Sequence, residues 1–257
     1  MDLQLKDKIA IVTGASRGIG RAIAERLAAE GMKLVLAARS GEVLEQLAAN
    51  LPGEHLVQAL DLREPAAASE LLAVTLDRFG GLDLLVNNAG ATKRGDFLQL
   101  SDEDWNDGFA LKFFGAMRLS RAAWPHLMAR RGSIVNIIGI GGRTGSAEFA
   151  IGGSVNAAAM NLTKVLADRG VIDGVRVNAI NPGAIATERL RVRIRNHAKE
   201  TGISEAEAEK AMPRLLAVER FGEPVEIANT VAFLASAQAG YIHGAILDVD
   251  GGATRTL

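Results

Sequence analysis

Alternating strand and helix patterns run along this chain, and they restrict the folds open to it more than any other feature. Short apolar runs recur seven times, with helical patterns between them. These predicted strands are residues 9–13, 33–37, 55–59, 82–87, 133–138, 175–180 and 246–249. Such alternation is typical of a doubly wound parallel sheet with helices on both faces. With 257 residues, 48% of them hydrophobic, one core suffices, so we predict a single α/β domain over residues 1–257.

The first predicted strand leads into a glycine-rich turn, Thr13-Gly14-Ala15-Ser16-Arg17-Gly18-Ile19-Gly20. A helix is predicted next, at residues 18–30, and Gly31 ends it. Glycines at 14, 18 and 20 permit a tight turn and a close approach of the backbone to a pyrophosphate, while the helix directs unpaired N–H groups at the phosphates. The turn therefore predicts a dinucleotide site, although a lone Gly-rich turn is also found as an ordinary strand–helix connection.

Two further motifs accompany the turn at the expected distances, Asn87-Asn88-Ala89-Gly90 and Asn181-Pro182-Gly183. Together the three motifs resemble the short-chain dehydrogenase/reductase family along nearly the whole chain. The resemblance implies one Rossmann-type domain with a seven-stranded parallel sheet and a nicotinamide cofactor.

The resemblance also assigns the residues that bind the cofactor. Asp61 is expected to face the adenine amine, Asn88 to brace the fourth strand near the ribose, and Thr187 to hydrogen-bond the nicotinamide carboxamide. The full expected set is Gly14, Ser16, Arg17, Gly18, Ile19, Gly20, Arg39, Ser40, Asp61, Leu62, Asn88, Ala89, Gly90, Pro182, Gly183, Ile185 and Thr187.

The end of the second strand predicts which cofactor is preferred. Sites for NAD place an acidic residue there, whereas this chain has Ala38 followed by Arg39 and Ser40. Arg39 and Arg17 are able to approach a 2′-phosphate from opposite sides, because guanidinium groups offer paired donors to phosphate oxygens. We therefore predict that NADP(H) is preferred over NAD(H). The alternative is that Arg39 only stacks on the adenine.

The catalytic residues that the resemblance implies are changed. The family uses a Tyr-x-x-x-Lys pair, a Ser upstream of it and an earlier Asn; the aligned positions here are Gly152, Asn156, Gly139 and Lys112 respectively. The single tyrosine of the chain, Tyr241, lies in a stretch that resembles a structural C-terminal turn of the family. The chain thus resembles a divergent member without the Ser-Tyr-Lys-Asn tetrad.

Lys112 and Asn156 have the family's amide and ammonium in exchanged positions. One hypothesis is that Lys112 is a buried ammonium with a lowered pKa that acts as an acid or an electrostatic stabiliser. The alternative is a surface lysine on an amphipathic helix. Glycines at 139, 152 and 153 remove bulk where substrate sits in the family, so a wide pocket is predicted.

Two functions fit these residues. The first is an NADP(H)-dependent oxidoreductase that reduces a carbonyl or an activated double bond, with Lys112 or water as an unusual proton donor. The second is a catalytically silent NADP(H)-binding sensor or assembly partner. A mobile substrate lid is expected at residues 188–213, a polar and irregular-looking segment. Its arginines, Arg189, Arg191, Arg193 and Arg195, either bind an anionic substrate or form a solvated helix face.

Composition excludes several other classes. A net charge of −1 gives no basic surface for nucleic acid, and no apolar run approaches the roughly 18 residues that span a membrane. The four histidines are scattered and cysteine is absent, so no metal site is predicted. The polar start has no signal-peptide pattern, which predicts a cytoplasmic protein. By resemblance alone, helices near 102–129 and 151–168 are expected to pair in a homodimer or homotetramer; the small-molecule substrate is unknown.

Overall fold

The computed structural model describes residues 1–255, and its centre is one seven-stranded sheet in the order β3-β2-β1-β4-β5-β6-β7. All neighbouring strands are parallel. The strands are β1 Ile9–Thr13, β2 Lys33–Ala38, β3 His55–Ala59, β4 Leu84–Asn87, β5 Ser133–Ile137, β6 Arg176–Pro182 and β7 Ile246–Val249. The predicted α/β fold with seven parallel strands is therefore confirmed; the predicted strand ends differ slightly from the observed ones.

Helices connect the strands and cover both faces of the sheet. In chain order the α-helices of the described residues are α1 Gly18–Ala29, α2 Gly41–Ala49, α3 Ala67–Phe79, α4 Asp102–Phe109, α5 Ala116–Arg130, α6 Ala150–Asp173, α7 Glu188–Thr201, α8 Glu205–Leu215 and α9 Pro224–Ala235. A single π-helical turn, Ala110–Gly115, joins α4 to α5.

Strand alternation divides the core into two layers. Ala10 and Val12 of β1 face one side, where they pack with apolar residues of α1, α2 and α9. Ile9 and Ile11 of the same strand face the other side and pack with α3, α5 and α6. Successive side chains of a strand point to opposite faces, so strands covered on both sides are apolar at nearly every position.

Local signals at helix ends agree with the structure. Gly31 follows α1 with a φ of 78°, a left-handed conformation that favours glycine. At the start of α4, the Asp104 N–H donates to the Ser101 hydroxyl at 3.3 Å and the Ser101 N–H donates to the Asp104 carboxylate at 3.1 Å. This is a capping box, with aspartate in place of the more usual glutamate.

The segment at residues 188–213 is more regular than predicted. It forms α7 and most of α8, and these two helices pack around a small apolar cluster of their own. Leu190, Ile194 and Ala198 repeat every four residues along α7 and are buried. The expectation of an irregular segment was wrong because its many arginines and glutamates hid this narrow apolar stripe.

The strand order reverses direction between β1 and β4, which lie side by side. In open parallel sheets, ligands bind outside the carboxyl ends of the strands at such a reversal. The crevice therefore lies where the glycine-rich turn after β1 meets the segment after β4. No helix among residues 1–255 has the length and apolar character needed to cross a membrane.

Candidate active site

The glycine-rich turn after β1 leaves room for a phosphate group. Gly14 and Gly18 have φ values of 66° and 56°, and a Cβ on Gly20 would lie 2.2 Å from the Gly14 carbonyl oxygen. Arg17 precedes α1 and its side chain makes no capping hydrogen bond, so the first N–H groups of that helix have no side-chain acceptor. An anion at this end satisfies them, which fits a dinucleotide phosphate. Ser16 and Ile19 lie in the same turn.

The segment after β4 is fixed to this turn by hydrogen bonds. The Thr13 hydroxyl accepts the backbone N–H groups of Asn88 and Ala89 at 2.9 and 3.0 Å and donates to the Val86 carbonyl at 3.1 Å. The Asn88 amide donates to the Thr13 carbonyl at 2.9 Å and to that of Gly14 at 3.3 Å. These contacts hold the two sides of the crevice at a fixed separation.

The ends of β2 and β3 provide one end of the crevice. Arg39 and Ser40 are exposed there, and the Ser40 side chain makes no capping bond to α2. Both Asp61 carboxylate oxygens accept hydrogen bonds from the Arg63 guanidinium, which keeps the pKa of Asp61 below its usual range. Leu62 is buried beside it. Arg39 also lies close enough to act electrostatically on Asp61.

The end of β6 provides the other end of the crevice. Pro182 is the last residue of β6, Ile185 is buried, and Thr187 precedes the first turn of α7. A Cβ on Gly18 would lie 3.3 Å from the Thr187 methyl group, so Thr187 lies beside the glycine-rich turn. Gly183, the remaining predicted residue, has no space for a side chain. Segments more than 160 residues apart in sequence thus enclose one crevice.

Lys112 lies at the base of this crevice on the π-helical turn Ala110–Gly115. Its ammonium donates to the Asn156 Oδ1 at 2.6 Å and to the Ile138 carbonyl oxygen at 2.5 Å. Burial, and secondarily the positive charge of Arg189, lower its pKa to about 7. These two hydrogen bonds favour the hypothesis of a partly buried ammonium over a surface lysine on an amphipathic helix. An ammonium has three donors, so one remains for a ligand.

Neighbouring side chains lie close to both Gly139 and Gly152. Gly139 has a φ of 133°, and a Cβ there would lie 3.1 Å from the Asn156 amide nitrogen, which donates to the Gly139 carbonyl at 3.2 Å. A Cβ on Gly152 would lie 2.1 Å from the Phe149 ring, which also packs against Gly141. The prediction of a wide pocket was wrong at this point because the Phe149 ring fills the space that the glycines leave. Gly153 adjoins the same wall.

The mouth of the pocket carries arginines. The Arg94 guanidinium lies over the Phe149 ring at 4.4 Å from its centroid. Arg189 Nη2 donates to the Gly90 carbonyl at 2.7 Å, and Gly90 itself packs against the Lys112 side chain. Sequence reasoning missed Arg94 and Phe149, since neither belongs to a motif; the flanking glycines were the only signal of a bulky neighbour.

The described residues contain no cluster of three or more potential metal ligands. Tyr241 is fully exposed in the turn before β7.

Comparison with known proteins identifies the family to which this chain belongs. Residues 14–254 match the family model described as enoyl-(acyl carrier protein) reductase. The 3-oxoacyl-[acyl-carrier-protein] reductase FabG of Vibrio cholerae is 35% identical over 251 residues, covering 97% of this chain and 98% of that protein. The chain belongs to the short-chain dehydrogenase/reductase family. Meso-2,3-butanediol dehydrogenase of Serratia marcescens is 34% identical over 257 residues, covering 98% of this chain and 96% of that protein.

A solved member of the family has nearly the same fold. The L-sorbose reductase of Gluconobacter frateurii, complexed with NADPH and L-sorbose, superposes with a TM-score of 0.95 at 33% identity, covering all of both chains. Family membership makes this protein an NAD(P)-dependent oxidoreductase.

Proposed function

We propose that this short-chain dehydrogenase/reductase is an NADPH-dependent reductase of a carbonyl or an activated double bond in which Lys112 supplies the proton. The observation that carries the proposal is the buried Lys112 ammonium, with a pKa of about 7 and one donor left for a ligand. A proton donor works best when its pKa lies near the working pH. The names of the relatives, a ketoacyl reductase and a sorbose reductase, support a carbonyl as the acceptor.

The chemistry needs one hydride and one proton. A bound nicotinamide supplies the hydride to the substrate carbon. Lys112 then transfers a proton from Nζ to the substrate oxygen, or to the far carbon of an activated double bond. Asn156 and the Ile138 carbonyl orient the ammonium through the other two N–H groups. The neutral amine left after the transfer is the form that burial favours.

In this proposal Lys112, Asn156, Gly139 and Gly152 replace the family tetrad. Their mutual contacts support replacement rather than decay. The Asn156 amide accepts a hydrogen bond from the Lys112 ammonium and donates one to the Gly139 carbonyl. A side chain on Gly139 would crowd that same amide. Three changed positions therefore depend on one another physically, which unrelated losses would not produce.

NADP(H) is the preferred cofactor in this proposal. Arg39 and Ser40 are unengaged at the end of β2, and Arg17 stands exposed in the glycine turn. The sorbose reductase structure holds NADPH, and the NADPH-dependent reductase YwfH has a similar structure (TM-score 0.92, 28% identity).

A second candidate is a catalytically silent NADP(H)-binding sensor or assembly partner. It is favoured by Gly139 and Gly152, which have no side chains for proton transfer, and by the Phe149 ring that occupies part of the pocket.

The test is NADPH oxidation with a panel of ketones, aldehydes, quinones and enones, for the wild type and Lys112→Met. We expect turnover by the wild type and a loss of at least about 100-fold in kcat in the variant, the usual contribution of a positioned acid. The control is Lys33→Met. Lys33 is the first residue of β2, at the end of the strand away from the crevice, and it forms an ion pair with Glu54. NADPH affinity is measured in the same samples.

Two results would contradict the proposal. Unchanged kcat in Lys112→Met would remove Lys112 from the chemistry. Tight NADPH binding without turnover of any panel member would favour the silent cofactor-binding protein.

A further inference from the structure

We propose that the substrate of this enzyme carries an anionic group, a carboxylate or a phosphate, which Arg94, Arg189 and Arg193 bind at the mouth of the pocket. The inference rests on the proposed reductase function and specifies its substrate class. It follows from where three separate segments place their guanidinium groups.

The first segment is the loop that carries Arg94. The Gly95 N–H donates to the Glu148 carbonyl at 3.1 Å, which fixes this loop to the one before α6. The Arg94 guanidinium consequently stacks on the Phe149 ring. That ring lies against Gly152, so Arg94 stands directly over the wall of the reaction pocket.

The second and third groups come from α7. Arg189 and Arg193 are four residues apart and therefore lie on the same face of the helix. Arg189 donates to the Gly90 carbonyl on the side of the pocket where Gly90 covers the Lys112 stem. Both arginines are close enough to Arg94 to act on its charge. The three positive groups thus lie near one another, beside the pocket that contains Lys112.

Their charges are poorly compensated. Burial lowers the pKa of Arg94 and Arg189, and repulsion from neighbouring arginines lowers each further. Within residues 1–255 no ion pair links Arg94, Arg189 or Arg193 to a carboxylate, and the nearby Glu148 offsets Arg94 only in part. Arg189 retains contact with solvent although protein surrounds it, as expected for a group in an open cleft.

The other two arginines of α7, in contrast, pair with an acidic residue. Arg191 and Arg195 face Glu188, with closest distances of 3.8 and 2.9 Å, and belong to the solvated face of the helix. Only the pocket-facing pair lacks an acidic partner. Arg94, Arg189 and Arg193 are exposed, so an opposite charge from solution can reach them, and guanidinium groups match the paired oxygens of carboxylate and phosphate. A substrate anion supplies that charge.

The competing source of an anion is the cofactor pyrophosphate, because Arg17 of the phosphate turn also acts on Arg189. The test therefore leaves Arg189 unchanged and uses Arg94→Gln, on which Arg17 does not act, and Arg193→Gln, one helical turn beyond Arg189. Arg191→Gln is the matched control on the opposite face of α7.

Turnover is measured with matched pairs: 5-oxohexanoate against its methyl ester, and dihydroxyacetone phosphate against dihydroxyacetone. We expect the wild type to prefer the charged member of at least one pair by about tenfold or more in kcat/KM, the range for a charge-assisted hydrogen bond. Arg94→Gln and Arg193→Gln should lose this preference, because kcat/KM for the charged member should fall more than kcat/KM for the uncharged one. Arg191→Gln should behave like the wild type, and NADPH affinity should not change.

Calorimetry separates this inference from the proposed reductase function. The NADP⁺-loaded protein is titrated with both members of each pair. Selective binding of a charged member without any turnover would keep the anion site and overturn the reductase. Turnover without preference for charge would keep the reductase and overturn the anion site. Weakened NADPH binding in Arg94→Gln and Arg193→Gln would assign the cluster to the cofactor and also overturn the inference.

Discussion

At the scale of single residues, the decisive feature is a half-buried lysine without a carboxylate partner. The Lys112 ammonium donates to two oxygens, and neither belongs to a carboxylate. No full negative charge therefore offsets the cost of burying the ammonium. The nearest charge that acts on it, Arg189, is also positive. Burial and like charge both disfavour the ammonium, which is why its pKa falls from 10.5 to about 7.

The lowered pKa of Lys112 makes stability depend on pH in a defined direction. Below pH 7 the lysine is protonated in both the folded and unfolded protein, and the folded state bears the whole penalty. Between about 7 and 10.5 the unfolded chain holds a proton that the folded chain has released, so wild-type stability rises with pH. The free energy of unfolding of the wild type should gain on the order of 1–2 kcal/mol relative to Lys112→Met between pH 7 and 9.

Urea unfolding of both proteins at pH 6, 7, 8 and 9 checks this expectation. Lys33→Met serves as control, because its lysine is not buried at the pocket. Free energies of wild type and Lys112→Met that remain parallel from pH 7 to 9 would show that Lys112 titrates normally.

At the scale of elements, the cofactor crevice depends on how strand ends meet helix starts. α4 and α8 begin with capping boxes, whereas α1 has no side-chain cap. α2, α3, α6 and α7 also lack a side-chain cap, but α1 is the helix that follows the glycine-rich turn, so its first N–H groups are the ones available to a ligand there. The end of β2 brings Arg39 towards the same crevice, near Asp61.

Arg39 gives the prediction at this scale. In Arg39→Gln the dissociation constant for NADPH should rise by about tenfold or more, while that for NADH should change little, because only NADPH carries the 2′-phosphate. Fluorescence titration with both cofactors measures it. Arg21→Gln is the control, since Arg21 lies on α1 and pairs with Glu25. Equal weakening of both cofactors would mean that Arg39 stacks on adenine instead.

At the scale of the whole molecule, α6 carries an apolar outer stripe that the fold leaves uncovered. Val165 and Ile172, seven residues apart on one face of the helix, are 56% and 81% exposed, although another face of the helix packs on the sheet. Uncovered apolar residues on one face are typical of an interface. We expect this helix to pair with a second copy, in a homodimer or homotetramer.

Light scattering coupled to size-exclusion chromatography tests the assembly. The wild type should have a mass of two or four times 27.1 kDa. The double variant Val165→Glu with Ile172→Glu should shift towards the monomer, because buried unpaired carboxylates are costly. Val43→Glu, a change at an exposed apolar position of α2, should not. A monomeric wild type would contradict the expectation.

Local patterns in the sequence determined the fold class, all seven strands and the glycine-rich turn. Strand alternation, helix periodicity and the need of Gly14 and Gly18 for positive φ act over a few residues, so they can be read without the fold. The capping box at Ser101 is another signal of this kind.

The tertiary structure alone decided the character of the pocket. Lys112 and Asn156 are 44 residues apart, and only packing of the π-helical turn against α6 brings them to 2.6 Å and keeps the ammonium from water. The Phe149 ring beside Gly152 and the arginines that converge above it depend on contacts between distant segments in the same way. Burial and charge environment are properties of the assembled neighbours, which no single stretch of sequence contains.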